Sequence, residues 1–203
     1  LLGRTLKDLG LDSVEDLDRE VGSFSIKAPV FPFDRFPDTD VLLGPEMKST
    51  GEVMGRSNTF ARAYAKAIMG AGVKVPTRGK AFLSVRDEDK KEIVDIARDL
   101  LSLDFELFAT EGTYQALRNA DLQVTRINKV REGSPHCVEA IHRSEFQLVL
   151  NTTFGEHSIS DSFSIRRAAL ERRIPYATIL SSGRALVLAI RAVKAGPLSV
   201  SPL

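Results

Sequence analysis

Only one cysteine, Cys137, stands among 203 residues. A lone thiol excludes an intramolecular disulfide and a Cys-pair metal site, and it fits a reducing compartment. Its ordinary role in such a chain is that of a small buried hydrophobe. Charge of one sign is also missing: Lys+Arg is 28 against Asp+Glu 27, a formal net charge of +1. No global field therefore points to nucleic acid or to an acidic partner. No uninterrupted apolar run is long enough to span a membrane, and no signal-peptide pattern opens the chain, so a cytoplasmic protein is expected. The first residue is Leu rather than Met, as in a fragment of something longer.

Catalytic signatures are scarce too. His136, His142 and His157 lack HxxxH spacing, which argues against a metal site. A Gly-x-Ser-x-Gly elbow is absent, and no GxGxxG follows the first regular strand, so neither a hydrolase triad nor a dinucleotide fold is indicated. His136, in "GSPHCVEAI", sits where a helix starts and reads as a cap or packing residue. The basic run "RRAALERR" reads as a solvated helix face. No catalytic residue and no metal ligand is expected in this chain.

What is present falls into two textures, divided into residues 1–76 and 77–203. The first part holds "KAPVFPFDRFPDTDVLLGPEMKSTGEVMG", in which Pro29, Pro32, Pro37 and Pro45 break helices and demote central strands. It reads as extended, turn-rich chain, preceded by weak helical spacing in "TLKDLGLDSVEDLDREV". It is followed by a helix in "SNTFARAYAKAIMG", capped by Ser57 or Asn58 and stopped by Gly70. This part, with little to pack on, is not expected to fold alone. "GAGVKVPTRG" reads as a linker.

Beyond the linker, strands alternate with helices. "KAFLSV", "FELFAT", "LQVTRI", "FQLVLNT" and "PYATIL" read as strands. "DKKEIVDIARDLLSL", "TYQALRNA", "HCVEAIHRS", "SDSFSIRRAALERR" and "GRALVLAIRAVKA" read as helices. This alternation predicts an α/β fold, a five-stranded, mainly parallel, doubly wound sheet with helices on both faces. Ligands of such sheets bind outside the carboxyl ends of the strands. The turns there hold Ser84 and Lys90, then Thr110, Gly112 and Thr113, then Asn128 and Lys129, then Asn151, Thr152 and Thr153, with Asp161 and Ser162 beyond. Two lysines, several hydroxyls and N–H groups at helix starts are what a phosphate monoester requires. Asn, Asp and Ser on the neighbouring loop suit a ribose or a base. Each residue alone is an ordinary turn or cap residue; their convergence on one edge of the sheet favours a site. Glu111 is compatible with an anion there only if its carboxylate turns away.

The same turns carry a resemblance. "FLSVRDEDK", "FATEGT", "INKVREGSPH", "LNTT" and "SDSFSIRRAAL" together resemble the methylglyoxal-synthase-like domain at the carboxyl end of the carbamoyl-phosphate synthase large subunit. The first part is similar to the closing segment of that subunit's second ATP-grasp unit, an incomplete ATP-grasp tail in which "LGPEMKSTGEVMG" is the most specific stretch. The resemblance implies a regulatory domain that binds a nucleotide monophosphate of the UMP or IMP type. That effector would tune ATP-dependent carbamoyl phosphate synthesis for pyrimidine and arginine biosynthesis. It implies a phosphate held by Ser84, Lys90, Thr110, Thr113 and Lys129, and a ribose and base held by Asn151, Thr152, Thr153, Asp161 and Ser162. It also implies no cofactor in this chain, with ATP and Mg bound upstream in the full subunit and Lys48 and Glu52 structural. The partners it implies are the remainder of the large subunit and the glutaminase small subunit, with neither nucleic acid nor membrane.

Departures from the family pattern are informative. Some members bind ornithine through a glutamate and an aspartate; here those positions read Ala28 and Ala177, although Thr178 remains. No strong ornithine response is expected. Three other functions compete. One is a methylglyoxal-synthase-like phosphate lyase, which lacks its catalytic aspartates in "NKVREG" and "LNTT". The second is an inosinate cyclohydrolase domain, which would not carry "LGPEMKSTGEVMG". The third is a structural module that serves as a homo-oligomer contact.

Overall fold

A computed structural model describes residues 3–5, 7–9, 22–33, 48–152 and 156–200, with side chains left undescribed at 156–161. The helical spacing expected early in the chain therefore lies largely outside the described residues, as do Pro37 and Pro45. In chain order the elements are β1 (Phe24–Val30), β2 (Gly51–Ser57), α1 (Phe60–Gly70), β3 (Gly79–Ser84), α2 (Lys90–Ser102), β4 (Phe105–Ala109) and α3 (Glu111–Arg118). They continue with β5 (Thr125–Arg126), α4 (Cys137–His142), β6 (Leu148–Asn151), α5 (Glu156–Glu171), β7 (Tyr176–Ala177) and α6 (Leu180–Lys194). Single 3-10 turns lie at Lys7–Leu9, Asp87–Asp89 and Val130–Glu132.

β3 to β7 form one parallel sheet in the order β5-β4-β3-β6-β7. The chain starts in the middle, winds to one edge, then crosses back and winds to the other. The order reverses between β3 and β6, where a doubly wound sheet opens its crevice. Period-2 alternation sends side chains to opposite faces. Ala81, Leu83, Leu148 and Leu150 join a core with α2, α3, α6 and α1, while Phe82 and Val149 join a second core with α4 and α5. Burial on both faces explains why "LVL" reads as a continuous apolar run rather than an alternation.

The first part departs from the expected turn-rich chain. β1 and β2 pair antiparallel, with Phe24 opposite Ser57 and Val30 opposite Gly51. Pro29 is tolerated within β1 because both members of a two-stranded ribbon are edge strands. The cap of α1 is Thr59, whose Oγ1 accepts from the Arg62 N–H at 3.4 Å, rather than Ser57 or Asn58. Ser57 is still occupied as the last residue of β2. α1 packs both on this ribbon and on α6, and Ala63, Ala65 and Ala67 are fully buried. Close approach is built in at Gly55, where a Cβ would lie 2.2 Å from the Ala63 carbonyl oxygen and 2.5 Å from the Ala67 nitrogen. Val73 and Val75 of the expected linker pack against the main core, so that segment is seated.

Helix starts also differ from the sequence reading. α6 begins at Leu180 rather than Gly183, with Ile179 at the cap position and no side-chain cap. Gly183 lies inside α6, 3.2 Å (at its would-be Cβ) from Leu150 of the sheet. It serves helix-on-sheet packing rather than helix initiation. The reading of "RRAALERR" as a solvated face fails at Arg166, which is only 1% exposed. Arg166 is four residues beyond the buried Ser162 and shares its inward face. Arg167 bonds Glu171 at 3.0 Å and reaches the Phe33 carbonyl at 3.4 Å.

Candidate functional site

The carboxyl ends of β3, β4 and β6 are adjacent in the sheet, so the turns after them meet. β3 and β6 end on Ser84 and Asn151, and Thr110 follows directly on β4. The result is a buried polar cluster: Ser84, Thr110, Thr113, Asn151, Thr152 and Ser162 are all at most 9% exposed. Ser84 Oγ and Thr110 Oγ1 are 3.0 Å apart and share a hydrogen bond. Thr113 Oγ1 accepts from the Val85 N–H at 3.0 Å, tying the start of α3 to the end of β3. Thr152 Oγ1 accepts from the Arg86 N–H at 3.2 Å, tying the β6 turn to the same point. Asn151 Nδ2 donates to the Ser84 carbonyl at 3.3 Å and to Ser162 Oγ at 3.4 Å. Asn151 Oδ1 is buried and finds no hydrogen-bond partner among the described residues. A buried acceptor without a donor costs free energy, about 1–3 kcal/mol, unless a ligand or water supplies one.

Cations gather at the mouth. α3 begins directly after β4, with Thr110 as its cap, so the N–H groups of its first turn point outward. Lys90, in the first turn of α2, crosses this helix start: its Nζ lies 2.9 Å from where a Gly112 Cβ would stand. Gly112 leaves the room that the ammonium fills. Lys129, exposed on the turn after β5, is close enough to help lower the Asp87 carboxyl. That lowering comes first from the Lys90 hydrogen bond, then from the charge of Lys90, and only last from Lys129. The structure thus brings together Ser84, Lys90, Thr110, Thr113, Asn151, Thr152 and Ser162, with Lys129 at the rim. Thr153 lies outside the described residues, and so does the Asp161 side chain.

The nearby carboxylates are each engaged. Glu111 pairs with Arg126 of β5 and accepts from Gln115 at 2.8 Å, which turns it away from the helix start. Asp89 takes the Arg86 guanidinium at 3.0 and 3.3 Å. Asp87 takes Lys90 at 2.6 Å. His136 caps α4, its Nδ1 accepting from the Glu139 N–H at 3.3 Å, while Glu139 accepts from the His136 N–H at 3.2 Å. Burial pushes the Cys137 thiol up to about 11, which disfavours its thiolate at neutral pH. No cluster of three or more metal-ligating side chains occurs among the described residues. No described helix is long and apolar enough to cross a membrane.

Sequence reasoning missed two residues of this site. Arg86 and Asp87 stand in "VRDEDK", where nothing in the spacing distinguishes one acid from the next. Ala28 and Ala177 are both buried, at 8% and 4% exposure. Glu52 makes an exposed ion pair with Lys27 across the ribbon at 2.7 Å.

The chain is similar in sequence to known proteins. Residues 92–178 match the family model of the MGS-like domain. The chain is similar to the carbamoyl phosphate synthase large chain of Pseudomonas putida, 48% identical over 199 residues, which are 97% of this chain and 18% of that protein. The same protein of Myxococcus xanthus is 46% identical over 203 residues, all of this chain and 18% of its own length. That of Mesorhizobium japonicum is 50% identical over 185 residues, 91% of this chain and 16% of its own length. The chain therefore spans less than a fifth of the relatives it matches.

Proposed function

The chain belongs to the carbamoyl phosphate synthase large-chain family as a segment carrying the MGS-like domain, and from that premise we propose that it is the carboxyl-terminal regulatory region, binding a nucleotide monophosphate. The phosphate is held at the start of α3 by its outward N–H groups, by Lys90 and Lys129, and by the hydroxyls of Ser84, Thr110 and Thr113. A helix start flanked by two ammonium groups is suited to a dianion. Ribose and base lie toward Asn151, Thr152, Thr153, Asp161 and Ser162. The single observation that carries this reading is Lys90 stretched across the Gly112 backbone, which aims a cation at an open helix N-terminus.

In this reading the chain transforms nothing itself. Its ligand biases the ATP- and Mg-dependent synthesis of carbamoyl phosphate, carried out by the remainder of a longer cytoplasmic polypeptide together with a glutaminase subunit. The coupling is about 1–3 kcal/mol, a bias between two conformations rather than an on–off gate. Products of that synthesis feed pyrimidine and arginine pathways, which makes UMP the first ligand to try, with IMP beside it because phosphate and ribose contacts are common to both.

Calorimetric titration with UMP and with IMP tests the proposal. Saturable binding is expected for at least one of them, weakened about tenfold or more by Lys129→Ala, since a charge-assisted contact is lost. Absence of heat with both, in the wild type, would sink it and favour a structural module. Phosphate release from dihydroxyacetone phosphate is expected to be nil.

A further inference from the structure

We propose that Asp87 is a built-in competing anion: its carboxylate occupies the cationic mouth beside Lys90, and the incoming phosphate must displace it. The inference rests on the phosphate-binding reading of this site. Three acids stand in a row at Asp87–Asp89, yet the fold gives them different duties. Asp89 is only 14% exposed and holds the Arg86 guanidinium in two hydrogen bonds. Glu88 lies 3.9 Å from the same guanidinium. Asp87 alone turns to the lysine, Oδ1 to Nζ at 2.6 Å. That same Nζ is the atom lying over Gly112 at the start of α3, so the carboxylate is drawn to the ammonium that a phosphate would need. Lys129 contributes to lowering the Asp87 carboxyl, which places this anion within the field of both lysines.

The arrangement is built to release. The Asp87 side chain is 88% exposed, while that of Lys90 is 30% exposed. The carboxylate keeps most of its hydration, and an exposed ion pair is weak and screened by salt. A dianionic phosphate, reaching Lys90, Lys129 and the helix N–H groups together, outbids a single carboxylate; a monoanion with fewer contacts does not. Asp87 therefore raises the threshold for binding and sharpens selection for phosphomonoesters.

The test is calorimetry on the full chain with UMP and with uridine, comparing wild type, Asp87→Asn, Lys90→Gln and the double variant. Asp87 is exposed, and a melting curve confirms that Asp87→Asn folds. At low salt Asp87→Asn is expected to bind UMP about three- to tenfold more tightly, a gain that falls below about twofold near 0.3 M salt. Uridine binding stays unchanged by Asp87→Asn, and no gain in UMP affinity appears in the Lys90→Gln background. If the wild type binds UMP but Asp87→Asn binds it equally or more weakly, the competitor role is wrong while the phosphate site stands. An equal gain for uridine, or a gain that survives Lys90→Gln, overturns it as well. If the wild type binds neither UMP nor IMP, the phosphate reading falls and the competitor role falls with it.

Discussion

Two regions of the chain are packed by opposite means. At the carboxyl ends of β3, β4 and β6 the chain buries hydroxyls and an amide, and leaves one acceptor, Asn151 Oδ1, without a described donor. Where α1 meets β2 and α6, it buries Ala63, Ala65 and Ala67 and brings Gly55 into backbone contact. The polar end retains hydrogen-bonding capacity beyond what folding uses, as a binding site must. The apolar end spends all its surface on close approach. Nearly the same exposure values thus describe a site in one place and a joint in the other; the atoms exposed to each other decide which.

The strongest way to break this comparison is at the joint. Gly55→Ala is expected to destabilise the chain by about 2–4 kcal/mol, because its methyl would meet backbone atoms of α1 that cannot step aside. Urea unfolding followed by far-ultraviolet dichroism measures it, and a loss below about 1 kcal/mol would mean that α1 is not seated as described. A smaller effect is expected from Thr113→Val at the polar end. It strips the Val85 N–H of its acceptor and costs about 1–3 kcal/mol in the same assay, with Thr113→Ser restoring most of it.

Gly112→Ala sharpens the contrast with Gly55. Its methyl would meet only the flexible end of Lys90, at 2.9 Å, so stability should change by less than about 1 kcal/mol. UMP affinity should nonetheless fall about threefold or more, since the ammonium is pushed off the helix start. Equal binding by Gly112→Ala and wild type would show that the position of Lys90 over α3 does not matter. The smallest expectation is none at all: with alanine at 28 and 177, ornithine at sub-millimolar concentration should leave the melting temperature unmoved. A clear upward shift would show that ornithine binds without carboxylates at those two positions.

Much of the fold was legible in advance because its signals are local. The apolar stripe of "DKKEIVDIARDLL" and the short apolar runs of "AFL" and "LVL" need only their own neighbours to declare helix and strand. Strand and helix in alternation then imply a parallel sheet, and with it a common edge for Ser84, Thr110, Asn151 and their turns. β1 and β2 were hidden because prolines and glycines weaken the strand signal, and edge strands tolerate both. The early start of α6 was hidden because Ile179 carries no capping signal. Arg166 was misread because periodicity weighs an arginine as solvent-facing wherever it stands.

The sequence by itself determined the order and kind of the elements in residues 77–203, and hence which turns share one edge of the sheet. It also determined the absence of acid at positions 28 and 177. Tertiary structure alone decided that Glu111 meets Arg126 of β5, and that Lys90, which pairs with Asp87 three residues away, lies over the start of α3. The physical reason is one of range. Backbone preference and hydrophobic period are set within a few residues, whereas the partner of a charge is a distance in space, unknown until strands far apart in the chain are brought side by side.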